Sequence, residues 1–535
     1  MSKGYELLTP AEMAQADRYA IAAGIDGFAL MQRAGEAVAR VAAHVLRVLG
    51  ETASGGAASN EAVQGEAGAD RRILVLCGPG NNGGDGFIAA SILSEMGLAV
   101  EVALIGASEA LRGDAALARD AWRGPIADAL RLAPDGFAAI IDALFGAGLS
   151  RPIEGEVAEL LRRVDASRRM GARVIAVDLA SGVSGASGAV LGEAVQADET
   201  VTFFRRKPGH LLYPGRALCG HVHVADIGIP VEALDRLGVT TFANAPGLWR
   251  TTFPKLREDG HKYDRGHTLV LSGGIEGCGA ARLAARGALR AGAGLVTLAV
   301  PTEALAAQAA ANTAVMVRRS DGAAGWSQLL ADTRRNVAIM GPAAGIGGDT
   351  VAKVLAALAA ARGVVIDADG LTSFADKPEL LFGAVKDSRG ATVLTPHEGE
   401  FARLFHAVPE FVALGSEAGR LDKLGRARLG ARAAGAVLVL KGADTVIAAP
   451  DGRAAINENG TPYLATAGSG DTLAGIIGGL LAQGMPAWDA ACAGVWLHAE
   501  AGAAVGPGLI AEDLAEALPG VLRGLLDGGA TSRRP

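Results

Sequence analysis

Short apolar runs recur along this chain, separated by segments of helical length, and that alternation limits its fold more than any other feature. A first series occupies residues 73–77, 100–105, 139–144, 174–179, 200–204 and 222–227. A second occupies 268–271, 295–300, 337–340, 364–367, 392–394 and 437–440. Apolar runs this short read as strands buried on both faces, and helix-sized gaps between them imply βαβ units around mostly parallel sheets. Scattered Pro, Gly and Asn over 230–254 break the rhythm between the two series, so two different α/β domains are expected. A length of 535 residues agrees, since it exceeds what one hydrophobic core supports. The expected division is 1–230 and 246–535, joined by a linker at 231–245. The stretch 51–70, rich in Gly, Ala, Ser and Glu with no apolar period, reads as a flexible insertion.

Composition narrows the classes of function. A formal net charge of −7 argues against a broad footprint on nucleic acid, which needs clustered Lys and Arg, so a phosphate-bearing partner is expected to be a small molecule. Cys77, Cys219, Cys278 and Cys492 lie far apart, without the spacing of a zinc site or a disulfide framework, as suits a reducing compartment. The chain opens without the apolar core of a secretory signal, and its most membrane-like stretch, 473–481, is too short to span a bilayer. A cytoplasmic homo-oligomer with no membrane partner is the expectation.

Directly after the 73–77 run comes Gly78-Pro79-Gly80-Asn81-Asn82-Gly83-Gly84-Asp85-Gly86, with a helical run expected from Phe87. Such glycines let the backbone turn sharply and approach a ligand, and a helix start suits phosphate. Two more strand ends carry a carboxylate and a glycine loop: Asp142 leads into Gly146 through Pro152, and Asp178 into Ser181 and Gly182. In a parallel sheet the carboxyl ends of strands line one crevice, so the three loops are expected to converge. Asn82, Asp142 and Ser181 offer only oxygen ligands, which suit a hard cation such as potassium or magnesium.

In the second half, Gly468-Ser469-Gly470-Asp471-Thr472 sets a carboxylate inside a glycine turn that opens a helix. Backbone N–H groups and the helix dipole favour an anion there. Among phosphate-binding amides, the fitting role for Asp471 is general base toward a hydroxyl lying beside a phosphoryl group. Upstream, Leu440-Lys441-Gly442-Ala443-Asp444-Thr445 places a point charge beside accessible backbone, followed by a hairpin from 446–448 through Asp451-Gly452. Thr395-Pro396-His397-Glu398-Gly399-Glu400 and Asp367-Ala368-Asp369 close two further strands with groups that are costly to bury unpartnered. The aspartate pair can help hold a magnesium ion with substrate phosphates. Gly279-Ala280 precede the alanine-rich segment 281–291, which reads as a closely packed helix.

The first-half motifs, with Lys207-Pro208-Gly209 and the segment 224–230, resemble the NAD(P)H-hydrate epimerase family over residues 10–230. That resemblance implies a Rossmann-like three-layer α/β domain. Asn81, Asn82, Gly83, Gly84, Asp85, Gly146, Ala147, Gly148, Leu149, Ser150, Arg151, Pro152 and Asp178 would hold hydrated NADH or NADPH. Asn82, Asp142 and Ser181 would bind potassium, with Asp178 the acid/base group and Asp142 the alternative. Ala180 stands where the family carries proline.

The order of lysine–glycine loop, hairpin and Gly-x-Gly-Asp helix start resembles the ribokinase-like fold. The full set resembles the ADP-dependent (S)-NAD(P)H-hydrate dehydratase family over residues 246–526. It implies that Ala280, Gly345, His397 and Asp471 contact the hydrate, while Lys441, Gly442, Ala443, Asp444, Thr445 and Gly470 hold ADP. Gly341-Pro342-Ala343-Ala344-Gly345 departs from the family's Gly-Pro-Gly-Leu-Gly by a methyl group at Ala343. The implied function is metabolite repair: epimerisation of R and S hydrates, then dehydration of the S form by ADP to NAD(P)H, AMP and phosphate. Two alternatives stay open, a ribokinase-like vitamin or sugar kinase fused to a nucleotide-binding scaffold, and a first domain that only binds, for instance to RNA ends.

Overall fold

The computed structural model describes residues 4–53, 72–360, 362–415 and 421–527. It divides into two compact units, Glu6–Thr241 and, with the first residues of the chain, Phe242–Pro535. The expected linker at 231–245 is replaced by a helix, Glu232–Leu237, and a strand, Thr241–Ala243. Ala233 and Leu234 hold that helix in the first unit's core, which is why the Pro and Gly there do not mark a free connection. Of the stretch expected to be a flexible insertion, 51–53 close a helix Gly27–Ala53 and 54–70 lie outside the described residues.

The first unit is a seven-stranded parallel sheet. Its strands are β1 (Ile73–Cys77), β2 (Val100–Leu104), β3 (Ile126–Asp128), β4 (Ala139–Ala143), β5 (Arg173–Val177), β6 (Glu199–Phe203) and β7 (His221–Ala225). They lie in the order β3-β2-β1-β4-β5-β6-β7. All five residues of β1 are buried because the sheet is covered on both faces. Ile73, Val75 and Cys77 pack with helices Gly27–Ala53 and Asn81–Glu95, whereas Leu74 and Leu76 pack with Gly155–Arg169. The strand order reverses between β1 and β4, which opens a crevice at their carboxyl ends.

The second unit carries a ten-stranded sheet. Its strands are β8 (Thr241–Ala243), β9 (His267–Leu271), β10 (Leu295–Val300), β11 (Met316–Arg319), β12 (Val337–Met340), β13 (Gly363–Ile366), β14 (Thr392–Leu394), β15 (Val437–Leu440), β16 (Val446–Ala448) and β17 (Ala454–Ile456). The order is β11-β10-β9-β12-β13-β14-β15-β16-β17-β8. Pairing is parallel from β11 to β15, and β15, β16 and β17 form an antiparallel meander. The reversal here falls between β9 and β12, again directing a crevice to the carboxyl ends.

Helix Ser469–Ala482 is apolar on every face and buried along almost its whole length, as a central helix must be. Its glycines let it approach helix Cys278–Arg290, which starts three residues before the expected Ala281. A Cβ on Gly475 would overlap the carbonyl oxygen of Ala284, and one on Gly479 that of Ala288. Among the described residues no helix is long and apolar enough to cross a membrane. Gly475→Ala is therefore expected to push these helices apart and lower unfolding free energy by about 2 kcal/mol, read as a lower denaturant midpoint with the m-value retained.

Candidate active sites

A cavity of about 600 Å³ opens at the carboxyl edge of the first sheet. Asn81, Asn82, Asp85, the loop 144–151, Asp178 and Lys207 line it, joined by Asp17 from helix Pro10–Ala22. Helix Asn81–Glu95 begins six residues earlier than the expected Phe87, so most of the glycine motif is helical. The reason is packing. A Cβ on Gly84 would stand 2.6 Å from Met31 Sδ and one on Gly86 2.6 Å from Ala143 Cβ, while Gly83 lies against the backbone of Gly78. Gly83 and Gly84 are buried within the helix and, like the exposed Pro152, are not among the residues that line the cavity.

Asp142, the fourth residue of β4, is fully buried. Its carboxylate accepts from Ser181 Oγ (2.6 Å), Ser181 N (2.8 Å) and Leu144 N (3.3 Å). Burial pushes that carboxyl up to about 6 despite these donors. Ser181 Oγ also accepts from Phe145 N at 2.9 Å, tying Asp142 to the cavity loop. Asn82 is satisfied when its amide nitrogen donates to Val177 O (3.1 Å) and its oxygen accepts from Gly146 N (3.3 Å).

Asp178 follows β5 in the left-handed region, φ 64°, which aspartate enters more readily than most residues. Its Oδ1 accepts from Lys207 Nζ (2.6 Å) and Thr202 Oγ1 (2.9 Å), and its Oδ2 from Ala147 N (3.0 Å). Burial would raise its carboxyl, but the Lys207 ammonium outweighs it and holds the group down at about 2. Lys207 is only 1% exposed, so the pair is a buried one. His210 Nδ1 accepts from Lys207 N (2.9 Å), which leaves Nε2 to donate to Asp178 O (2.8 Å). Burial and the Lys207 charge hold His210 at about 3, hence neutral. Burial pushes Asp85 well up, with Asp178 and Asp17 adding to it. Asp17 is raised to about 6, mainly by burial.

In the second unit the strand ends converge on Lys441, which follows β15. Its Nζ donates to Asp367 Oδ1 (2.7 Å), beyond β13, and lies 3.9 Å from Glu400 Oε2, beyond β14. Burial would lower this ammonium, yet Asp367, Glu400 and Asp471 hold it above its usual range. Asp471 is the third residue of helix Ser469–Ala482, after Gly468 at φ 85°. A Cβ on Gly470 would stand 3.3 Å from Lys441 Nζ and 3.8 Å from Asp367 Oδ2, so the helix start abuts the ion pair. Burial first, then Asp367, raises Asp471 to about 6 against the pull of Lys441. His498 Nε2 lies 3.0 Å from both Oγ and O of Ser469, pinning the helix start.

The other expected residues surround this group. His397 caps helix Glu398–Phe405, its exposed ring accepting from Gly399 N at Nδ1 (3.0 Å) with Glu400 Oε1 3.3 Å from Nε2. Gly345 is exposed, and its N donates to Asp369 Oδ2 at 2.9 Å. Ala343 is left-handed, φ 49°, and its methyl fits because a Cβ on Gly277 would come within 2.7 Å of it. Ala280 lies in the first turn of the helix that follows Gly277. Gly442 and Thr445 close a turn on each other, Gly442 and Ala443 are exposed, and Asp444 is paired with Lys423 at 2.7 Å. Asp17 escapes a reading of the sequence because a lone carboxylate on a helix resembles any solvated one. Lys207 is visible there only as part of a motif.

Two units built on wholly or largely parallel sheets, each gathering a lysine and several carboxylates at its strand ends, make the architecture of a two-site enzyme for small molecules. A family model for NAD(P)H-hydrate dehydratase matches residues 268–518, and one for the YjeF-related protein N-terminus matches 27–209. A bifunctional NAD(P)H-hydrate repair enzyme of Thermofilum pendens is 34% identical over 526 residues, covering 94% of this chain and 93% of its own. The enzyme of that name from Moorella thermoacetica is 36% identical over 547 residues, covering 97% of each. A crystal structure of the ADP/ATP-dependent NAD(P)H-hydrate dehydratase from Bacillus subtilis with ATP and Mg2+ aligns at 28% identity and TM-score 0.44. It spans 53% of this chain and 98% of that one. The chain belongs to the family of bifunctional NAD(P)H-hydrate repair enzymes.

The Lys207–Asp178 pair yields a direct test. Lys207→Met leaves a buried carboxylate unpaired and is expected to cost about 3 kcal/mol of stability at neutral pH. Because the folded-state value of Asp178 is lowered, its contribution exists above the ordinary carboxylate range and is lost as pH falls toward about 2. The gap in unfolding free energy between wild type and variant should accordingly narrow below pH ~4.

Proposed function

We propose that the first unit interconverts the R and S forms of hydrated NADH and NADPH, and that the second dehydrates the S form with ADP, releasing NAD(P)H, AMP and phosphate. The observation that carries this reading is Asp471, a half-buried carboxylate at a helix start that abuts a lysine–aspartate pair. Asp471 takes the proton of the ring hydroxyl as its oxygen bonds to the terminal phosphorus of ADP, and the anhydride bond breaks to release AMP. Lys441 and the amides of Ser469, Gly470 and Asp471 meet the charge that develops on phosphate. Phosphate then leaves with the C–O electron pair as the ring nitrogen pushes in, and loss of a proton from the neighbouring carbon restores the dihydronicotinamide. Ala280, Gly345 and His397 would border the hydrate, and Gly442, Ala443, Asp444 and Thr445 the adenine nucleotide.

Epimerisation needs one group that gives a proton and one that takes it. Protonation of the hydroxyl lets water depart as an iminium forms, and water added to the other face completes the change. Asp178, held ionised by Lys207, suits the role of stabilising the cation and accepting the proton of returning water. Asp85, kept protonated by burial, suits that of donor. Asn81, Asn82 and the loop from Gly146 through Arg151 line the cavity where the nucleotide would lie.

The donor sets fit cations. Asn82, Asp142 and Ser181 supply oxygen donors of the kind that suits potassium, the buried Asp142 carboxylate being bonded to Ser181. Potassium there would neutralise Asp142 and stiffen the loop of Phe145 and Gly146. Asp367, Asp369, Glu400 and Asp471 form a negative cluster that suits magnesium, which would screen substrate phosphates.

Pure S-hydrate with ADP should yield AMP and dihydronicotinamide absorbance at equal rates. Asp471→Ala should reduce kcat by at least about 100-fold, and an undiminished rate would remove Asp471 as the base. Since Asp471 titrates at about 6, wild-type kcat should drop about tenfold per unit below that pH. With pure R-hydrate, Asp178→Ala should slow epimerisation by about 100-fold while leaving S-hydrate turnover intact.

A further inference from the structure

A cluster outside both sites carries metal-binding chemistry. The edge strand β7 reads His221-Val222-His223, and residues two apart on a strand point to one face. Glu199 opens the neighbouring β6 directly opposite His221. One ligand atom from each of Glu199, His221 and His223 falls within 4.8 Å of the other two. The imidazoles meet edge to face with centroids 4.6 Å apart, and His223 Nε2 lies 2.7 Å from Glu199 Oε2. None of the three lines the 600 Å³ cavity, and Glu199 and His221 begin their strands, so the cluster stands at the opposite edge of the sheet.

We propose that Glu199, His221 and His223 form a surface site for a divalent transition cation of the zinc class, with one coordination position open. Two imidazoles and a carboxylate are the donor set of open zinc sites, whereas magnesium and calcium prefer oxygen alone. The strand pair is a rigid mount, because His221 and Glu199 are held in register by the sheet and only side-chain torsions need change. On binding, His223 Nε2 gives up its proton to solvent while the ring carries one on Nδ1 and so stays neutral, and Nε2 and Glu199 Oε2 separate to about 3.3 Å, the spacing of tetrahedral ligands at zinc. Water or a donor from another molecule would complete the shell at this edge strand. Exposure of His221 leaves the entry path clear.

Tag-free full-length protein titrated calorimetrically with zinc chloride provides the test. One equivalent should bind, and the His221→Ala/His223→Ala double variant should lose at least about tenfold in affinity for that equivalent. Cobalt(II) should give the visible absorption of a four-coordinate ion in wild type and not in the variant. Glu199→Gln, which keeps both imidazoles and the fold, should weaken binding without abolishing it. Equal zinc uptake by wild type and double variant would overturn the assignment, as would absence of binding at ~100 µM zinc. Since the three residues lie outside the epimerisation cavity, R-hydrate turnover should be the same in wild type and variant, which also shows that the variant is folded.

Discussion

A lysine paired with a carboxylate, at the carboxyl edge of each sheet, sets the charge of everything around it. In the first unit Lys207, just past β6, holds Asp178, just past β5. In the second, Lys441 past β15 holds Asp367 past β13 and stands near Glu400 past β14. Each pair needs strands in a fixed order, since either charge alone in such surroundings would cost several kcal/mol. Once one carboxylate is held ionised, its neighbours feel a negative charge in a poorly solvated place. Asp17 and Asp85 in one site, and Asp471 in the other, are raised for that reason together with burial. Proton-holding and proton-free groups thus come to lie side by side.

Backbone strain gathers at the same edges. Among the described residues the non-glycine positions with positive φ are Asp178, Phe204, Ala343 and Ala368. They follow β5, β6, β12 and β13, where side chains must turn sharply out of the sheet to face the crevice. A left-handed alanine costs about 1 kcal/mol, and the chain tolerates two because the surrounding turns leave no alternative path. Gly341 shows the constraint most plainly: a Cβ there would overlap the carbonyl oxygen of Asp367.

Much of the framework was legible from periodicity alone. The runs that became β1, β12 and β15 are continuous in apolar residues because both sheet faces are covered. The strands β3, β8 and β11 left no such trace: they have three or four residues each, and Met316–Arg319 ends in two exposed arginines. Helix Asn81–Glu95 hid its first turns behind glycines that local rules assign to a loop, whereas tertiary contact with Gly78, Met31 and Ala143 demands them in the helix. Within the sites, motif residues next to strand ends were readable. Partnerships were less so, because Lys207 meets Asp178 across 29 residues and Lys441 meets Asp367 across 74. Asp17 reaches the cavity only through the packing of an N-terminal helix.

The enclosed helix Ser469–Ala482 bears on how such a chain can vary over generations. Its flanks are locked by backbone contacts with Ala284 and Ala288, and its start is pinned by His498. The proposed base therefore rides on the element least free to drift, whereas Gly345, His397 and Gly442 stand exposed. Steric freedom to change is thus least where Asp471 is mounted and greater at positions with no backbone pressed against them.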